Sequence, residues 1–247
     1  MSVKSIKKSA KEVIAKNRIQ NANTVLIAMV AVFVLNLLKM VCSNSLLALN
    51  YLDLTSSGYW YIDAAYDYLV AVLLLVCYFV LLAKNLKASK SIDYKVSIIN
   101  IFALSAPYAV MMVLYELANS GNWGYYAQKA SVIFYVLAIL VSICFGFVVN
   151  ALFAGETKVF EAAKKSTYVT VKNLFKIVLF ELSFVLWILI PAIVLAVWQI
   201  FYPDIIGFGI YNLLFPVLSF SYFGIALYYF PYYIVAKQLF YNELVKK

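Results

Sequence analysis

Apolar residues in this chain fall into six long runs separated by short polar connections. The runs cover about 24–42, 66–83, 96–117, 130–153, 174–201 and 208–235. At a rise of ~1.5 Å per residue, a hydrocarbon core of ~30 Å takes about twenty helical residues. Each run therefore predicts a transmembrane helix. The first can continue as helix to Leu49, and the last two are long enough that tilt or kinking is expected. Pro107, Pro191, Pro216 and Pro231 fall inside runs, where neighbouring helices can absorb the freed carbonyls.

Ahead of the first run, Ser2 to Asn23 shows a different period. Val3, Ile6, Ala10, Val13 and Ile14 follow helical spacing, and Lys4, Lys7, Lys8, Lys11 and Lys16 fill the other positions. Such a helix can lie in the headgroup plane, apolar face down. The alternative is a solvated arm whose charge only fixes topology. The expected fold is all-α, a polytopic membrane bundle of six transmembrane helices with basic amphipathic interfacial helices on its cytoplasmic face. Residues 1–23 form the N-terminal helix, 24–236 the transmembrane domain and 237–247 a cytoplasmic tail.

Composition agrees with the pattern. Hydrophobic residues make up 66% and charged residues 13%, against about 45–50% and about 25% in soluble domains. The longest polar connection is roughly twenty residues, too short to bury a core of its own.

Charge sets the orientation. All but Lys39 and Lys129 of the 20 basic residues lie in the N-terminal segment, the second and fourth connections and the tail. The positive-inside rule then puts both termini in the cytoplasm of a multi-pass cell-membrane protein. Aromatic residues agree: Tyr59, Trp60, Tyr61, Trp123 and Trp198 sit at the expected outer boundaries. The net charge of +9 has anionic phospholipid as its counter-charge, with Lys7, Lys8, Lys11, Lys164, Lys165 and Lys172 as candidate headgroup contacts. No basic stripe stands on a soluble scaffold, so nucleic acid is not expected. The lysine bias, with Arg18 the lone arginine, reads as an AT-rich bacterial coding genome. Lys7-Lys8-Ser9, Lys90-Ser91 and Lys164-Lys165-Ser166 each precede a helical hairpin, from triplication or from the positive-inside rule alone.

Candidate chemistry is sparse. The chain has no histidine, and Cys42, Cys77 and Cys144 lie in separate apolar runs as small hydrophobes. The N-terminus lacks the form of a signal peptide. Ionisable groups at membrane depth point to function by default. Lys39 and Glu116 lie near the outer boundary, where they pair across helices or snorkel separately. Glu181 lies a turn or two inside the cytoplasmic end of the fifth run, where it binds a lysine of the cytoplasmic layer or a proton. Phosphate-cradling loops, nucleophile elbows, metal-ligand spacings and paired carboxylates are missing, so no enzyme and no cofactor are expected.

The stretch STYVTVKNLFKIVLFELSFVLW, Ser166 to Trp187, resembles the signature of a bacterial membrane family known only as domain of unknown function 975. The matching positions are Ser166, Asn173, Lys176, Glu181, Leu182, Ser183, Phe184 and Trp187, and the close PYYIVAKQLFYNEL is also similar. Lys172 and Leu186 stand where that family usually has glycine. The resemblance implies six spans and a cytoplasmic-membrane location, and no activity. On physical grounds Glu181, Ser183, Phe184 and Trp187 form a packing site that docks the 155–176 helix or a partner protein. The function expected is a non-enzymatic accessory, scaffold or regulatory subunit that binds another membrane protein, itself or anionic lipids. The alternatives are a transporter or export-system subunit and a lipid-acting enzyme.

Overall fold

The computed structural model of the chain describes residues 2–48, 59–86, 99–100, 110, 132–134, 136–137, 140–141, 145–156, 158–185, 189 and 207–246. Side chains are described in these except 43–48, 59–61, 63–64 and 207–225. Among the described residues the regular structure is helical throughout, with no strand.

The N-terminal segment is two helices rather than one helix to residue 23. α1 spans Val3–Lys16 and α2 spans Arg18–Ala48. Ser2 caps α1, its hydroxyl accepting the Ser5 N–H at 3.2 Å. Asn17 leaves helical geometry at φ −122°, ψ 27°. Its side-chain amide donates to the Lys84 carbonyl at 3.1 Å, one of the carbonyls that the end of α3 (Tyr59–Asn85) leaves unpaired. The break therefore follows from a tertiary bond that a continuous helix would not place.

α2 and α3 are the two described helices long and apolar enough to cross a membrane, over Arg18–Cys42 and Ala65–Asn85. They pair at one end through a reciprocal amide contact: Asn21 Nδ2 donates to Asn85 Oδ1 at 3.0 Å and Asn85 Nδ2 to Asn21 Oδ1 at 2.6 Å. Lys84 Nζ adds a bond to Thr24 Oγ1 at 2.7 Å. Beyond this ring, up to Cys42, α2 is apolar except at Asn36 and Lys39, and Ile27, Val30, Phe33, Leu38 and Val41 are exposed. Of the third run only 99, 100 and 110 are described, and of the fourth 132–134, 136–137, 140–141 and 145–153.

The C-terminal end of the fourth run is a turn at 145–147 followed by α4, Val148–Phe153, in which every residue is buried. α4 closes with Gly155 at φ 107°. The Glu156 N–H bonds the Ala151 carbonyl at 3.2 Å and the Gly155 N–H the Leu152 carbonyl at 3.0 Å. This paired closure needs a left-handed residue, which glycine supplies without a Cβ clash. α5, Val159–Lys172, follows, and helix resumes after Asn173 as α6, described over 174–185. α7 runs from Gly207 to Val245 across Pro216 and Pro231.

Two buried clusters meet at α4 and α7. One joins Ile6, Ala10 and Ile14 of α1 to Phe147, Val148, Phe180, Phe184, Tyr232, Val235, Phe240 and Tyr241. The other joins Val25 and Ala28 of α2 to Phe79, Leu81 and Leu82 of α3, with Val149, Phe153 and Ile234. The apolar face of α1 thus packs on the protein rather than on lipid, a correction to the expected headgroup-plane helix. The segment expected to be a tail is the last turns of α7, with Phe240, Tyr241 and Leu244 in the core.

Candidate functional site

Glu181 on α6 is the centre of the site. Helical spacing on α7 brings Tyr233 and Lys237, one turn apart, against it. The Tyr233 hydroxyl donates to the carboxylate, lying 2.8 Å from both oxygens, and accepts from Lys237 Nζ at 3.0 Å. Lys237 Nζ stands 3.3 Å from Glu181 Oε1, with side-chain exposures of 14% and 36% respectively. A charge-assisted hydrogen bond of this kind is worth about 1.5–3 kcal/mol. Lys237 also lies over the rings of Phe147 and Tyr233, at 5.3 Å and 5.2 Å.

An aromatic wall closes one side. Phe180 stacks on Phe240 at 4.3 Å and 2°. Phe184 packs edge-on to Tyr233 at 5.4 Å and tilted against Tyr232 at 5.5 Å. The Tyr229 hydroxyl donates to the Phe184 carbonyl at 3.1 Å. α1 completes the enclosure with Lys7, whose Nζ donates to the Ser183 carbonyl and sits 4.1 Å from the Phe184 ring centroid. Burial lowers the Lys7 pKa from the ordinary lysine range.

A second polar layer lies deeper. Tyr78 donates to Asn150 Oδ1 at 3.0 Å, and Asn150 Nδ2 to Gln238 Oε1 at 2.7 Å. Gln238 Nε2 donates onward to Asn242 Oδ1 at 3.0 Å and to the Asn150 carbonyl at 3.3 Å. Asn150 and Gln238 are fully buried, so their mutual bonds are what make that burial tolerable. Ser166, also buried, accepts the Phe147 N–H at 3.1 Å, satisfying a donor at the start of α4.

Of the residues expected to form a docking site, Glu181, Ser183 and Phe184 are brought together, and Trp187 lies outside the described residues. α1 and α7 meet this segment directly, and Ala162 and Val169 of the 159–172 helix share its buried cluster. Ser183 reaches α1 through its backbone carbonyl, while its hydroxyl donates to Phe180 O at 2.6 Å within its own helix. Of the lysines assigned to headgroups, Lys7 is turned into the protein and Lys165 pairs with Glu156 at 2.7 Å. Lys8, Lys11, Lys164 and Lys172 are exposed. Lys39 lies over the Tyr66 ring at 4.8 Å, and Glu116, its expected counter-ion, lies outside the described residues.

In comparisons with protein-family models, with curated proteins and with solved structures, nothing matches this chain.

Sequence reasoning expected a lysine at Glu181 without naming Lys237, and it missed Asn150 and Gln238. A usable signal was present: Asn150, and the adjacent Lys237 and Gln238, are polar residues near the ends of apolar runs. The arrangement can fix three helix ends to one another through neutralised charges. Among the described residues no three His, Cys, Asp or Glu side chains gather to hold a metal ion.

Proposed function

We propose that this chain is a cell-membrane protein of six transmembrane helices with both termini cytoplasmic, and that it performs no reaction of its own. It acts as an accessory, scaffold or regulatory subunit, binding another membrane protein or anionic phospholipids. The observation that carries this reading is the Glu181–Tyr233–Lys237 cluster, in which each polar group is consumed by its neighbours. Bonded in this way, the three side chains clamp α6 to α7, which suits a packing role. The polar ring around Asn21, Thr24 and Lys84 at one end of two apolar helices supports the membrane placement. Kinship with domain of unknown function 975 is part of the same proposal. It rests on the Ser166–Trp187 motif alone.

A transport or export role draws on a different observation, the convergence of Tyr78, Asn150 and Gln238 from three helices. Mild-detergent purification from the native host, with identification of co-purifying proteins and lipids, separates the two. An accessory subunit retains a stoichiometric membrane-protein partner, and Glu181→Ala or Trp187→Ala weakens that retention at unchanged protein level. Reporter tags placing either terminus outside the cytoplasm would overturn the topology.

A further inference from the structure

Lipid contact was expected at α1, but the apolar face of α1 is consumed by the protein. α5 has the opposite arrangement. Its buried side is made of small or polar residues, Ala162, Ser166, Val169 and Thr170. Its large apolar residues point outward: Phe160 is 78% exposed, and Tyr168 and Val171 are exposed with it. Phe175, at the start of α6, is 75% exposed. These positions follow helical spacing across the junction. Backbone bonds from Asn173 N to Val169 O at 3.1 Å and from Ile177 N to Asn173 O at 3.0 Å preserve the phase. Lys164 lies within the stripe and Lys172 beside it, both exposed, and Lys172 Nζ stands 5.6 Å from the Tyr168 ring centroid. Glu161 is the one exposed acid of α5.

We propose that α5 is an interfacial ledge, seating Phe160, Tyr168, Val171 and Phe175 among the acyl-chain ends of the cytoplasmic leaflet. Lys164 and Lys172 hold anionic headgroups there. The inference rests on the membrane reading of the preceding subsection. Two features select lipid as the occupant. The stripe continues into the exposed apolar residues Val178, Leu179 and Leu182 of α6, the start of the fifth apolar run. The cations flanking it complement phosphatidylglycerol-like headgroups.

The test uses the full chain with Cys42, Cys77 and Cys144 replaced by serine, reconstituted in phosphatidylcholine vesicles with and without phosphatidylglycerol. An environment-sensitive fluorophore is placed singly at Phe160→Cys, Tyr168→Cys, Phe33→Cys and Glu12→Cys. Acyl-chain quenchers should quench labels at 160, 168 and 33 and leave 12 unaffected. Each lysine near an anionic surface strengthens the attraction to it by roughly fivefold. Lys164→Gln with Lys172→Gln should therefore weaken binding of phosphatidylglycerol by the reconstituted chain about 25-fold and leave quenching in phosphatidylcholine alone unchanged. Water-like, unquenched labels at 160 and 168 with position 33 quenched would overturn the ledge and leave the membrane reading standing. A blue-shifted but unquenched label at 160 would mean that protein covers the stripe, which also overturns it. Loss of quenching at 33 would overturn both.

Discussion

Tyr233 and Tyr241 lie two turns apart on α7 and predict substitutions of opposite sign. The Tyr233 hydroxyl links Glu181 to Lys237. Tyr233→Phe leaves a half-buried carboxylate and a mostly buried ammonium short of one bond each. The expected cost is about 1–3 kcal/mol, seen as a lower melting temperature in detergent. Lys237 still neutralises Glu181 at 3.3 Å, which keeps the loss from the upper range seen for an orphaned charge. The Tyr241 hydroxyl is buried and finds no hydrogen-bond partner among the described residues. Burial, with Glu156 nearby, pushes its pKa up, so it stays neutral and no charge is lost on removing it. Tyr241→Phe keeps the ring stacked on Phe147 at 5.6 Å and should raise the melting temperature, by up to about 1 kcal/mol of stability. A destabilised Tyr241→Phe protein would show that the hydroxyl has a partner after all.

At the scale of an element, α1 shows what a periodic pattern can and cannot say. The spacing of Ile6, Ala10 and Ile14 was legible as one apolar face because helical period alone fixes it. What covers that face was not legible, since lipid tails and aromatic side chains accept the same residues. The deciding partners, Phe180, Phe184 and Tyr232, lie more than 160 positions along the chain. The same limit hid Lys237 from Glu181 and Asn150 from Gln238, whereas the polar ends of the apolar runs were visible from composition. Because α1 is held by packing, Ile6→Ala should cost about 2–5 kcal/mol of docking and open Lys4, Lys7, Lys8 and Lys11 to trypsin. Lys7 adds a pH dependence. Burial lowers its pKa in the docked state, so undocked α1 binds that proton more tightly. Docking therefore strengthens as pH rises through the lowered value toward the ordinary lysine range. A spin-label distance between α1 and α7 should narrow across that alkaline titration, and Lys7→Met should remove the slope.

For the whole molecule, the two buried clusters hang on α4 and on the last turns of α7. Apolar runs and lysine placement made α2 and α3 legible as candidate spans. They did not reveal that the chain's two ends pack together, because the residues responsible sit in segments that read as polar. Residues 237–247 are the sharpest case, since lysines at both ends make them look like a solvated tail. Yet Phe240, Tyr241 and Leu244 are buried against Phe147 and Phe180. At about 1.5–3 kcal/mol for each large apolar side chain, the three contribute roughly 5–9 kcal/mol. A domain's whole margin is about 5–15 kcal/mol. Deleting 237–247 also removes Lys237 from Glu181 and Gln238 from Asn150, leaving a buried amide and a half-buried carboxylate without partners. The truncated chain should therefore fail to accumulate as a monodisperse species in detergent, while removal of Lys246 and Lys247 alone should leave size-exclusion profile and melting temperature unchanged. A deletion of 237–247 that migrated and melted like the full chain would mean that α4, α6 and the rest of α7 hold together without the C-terminal turns.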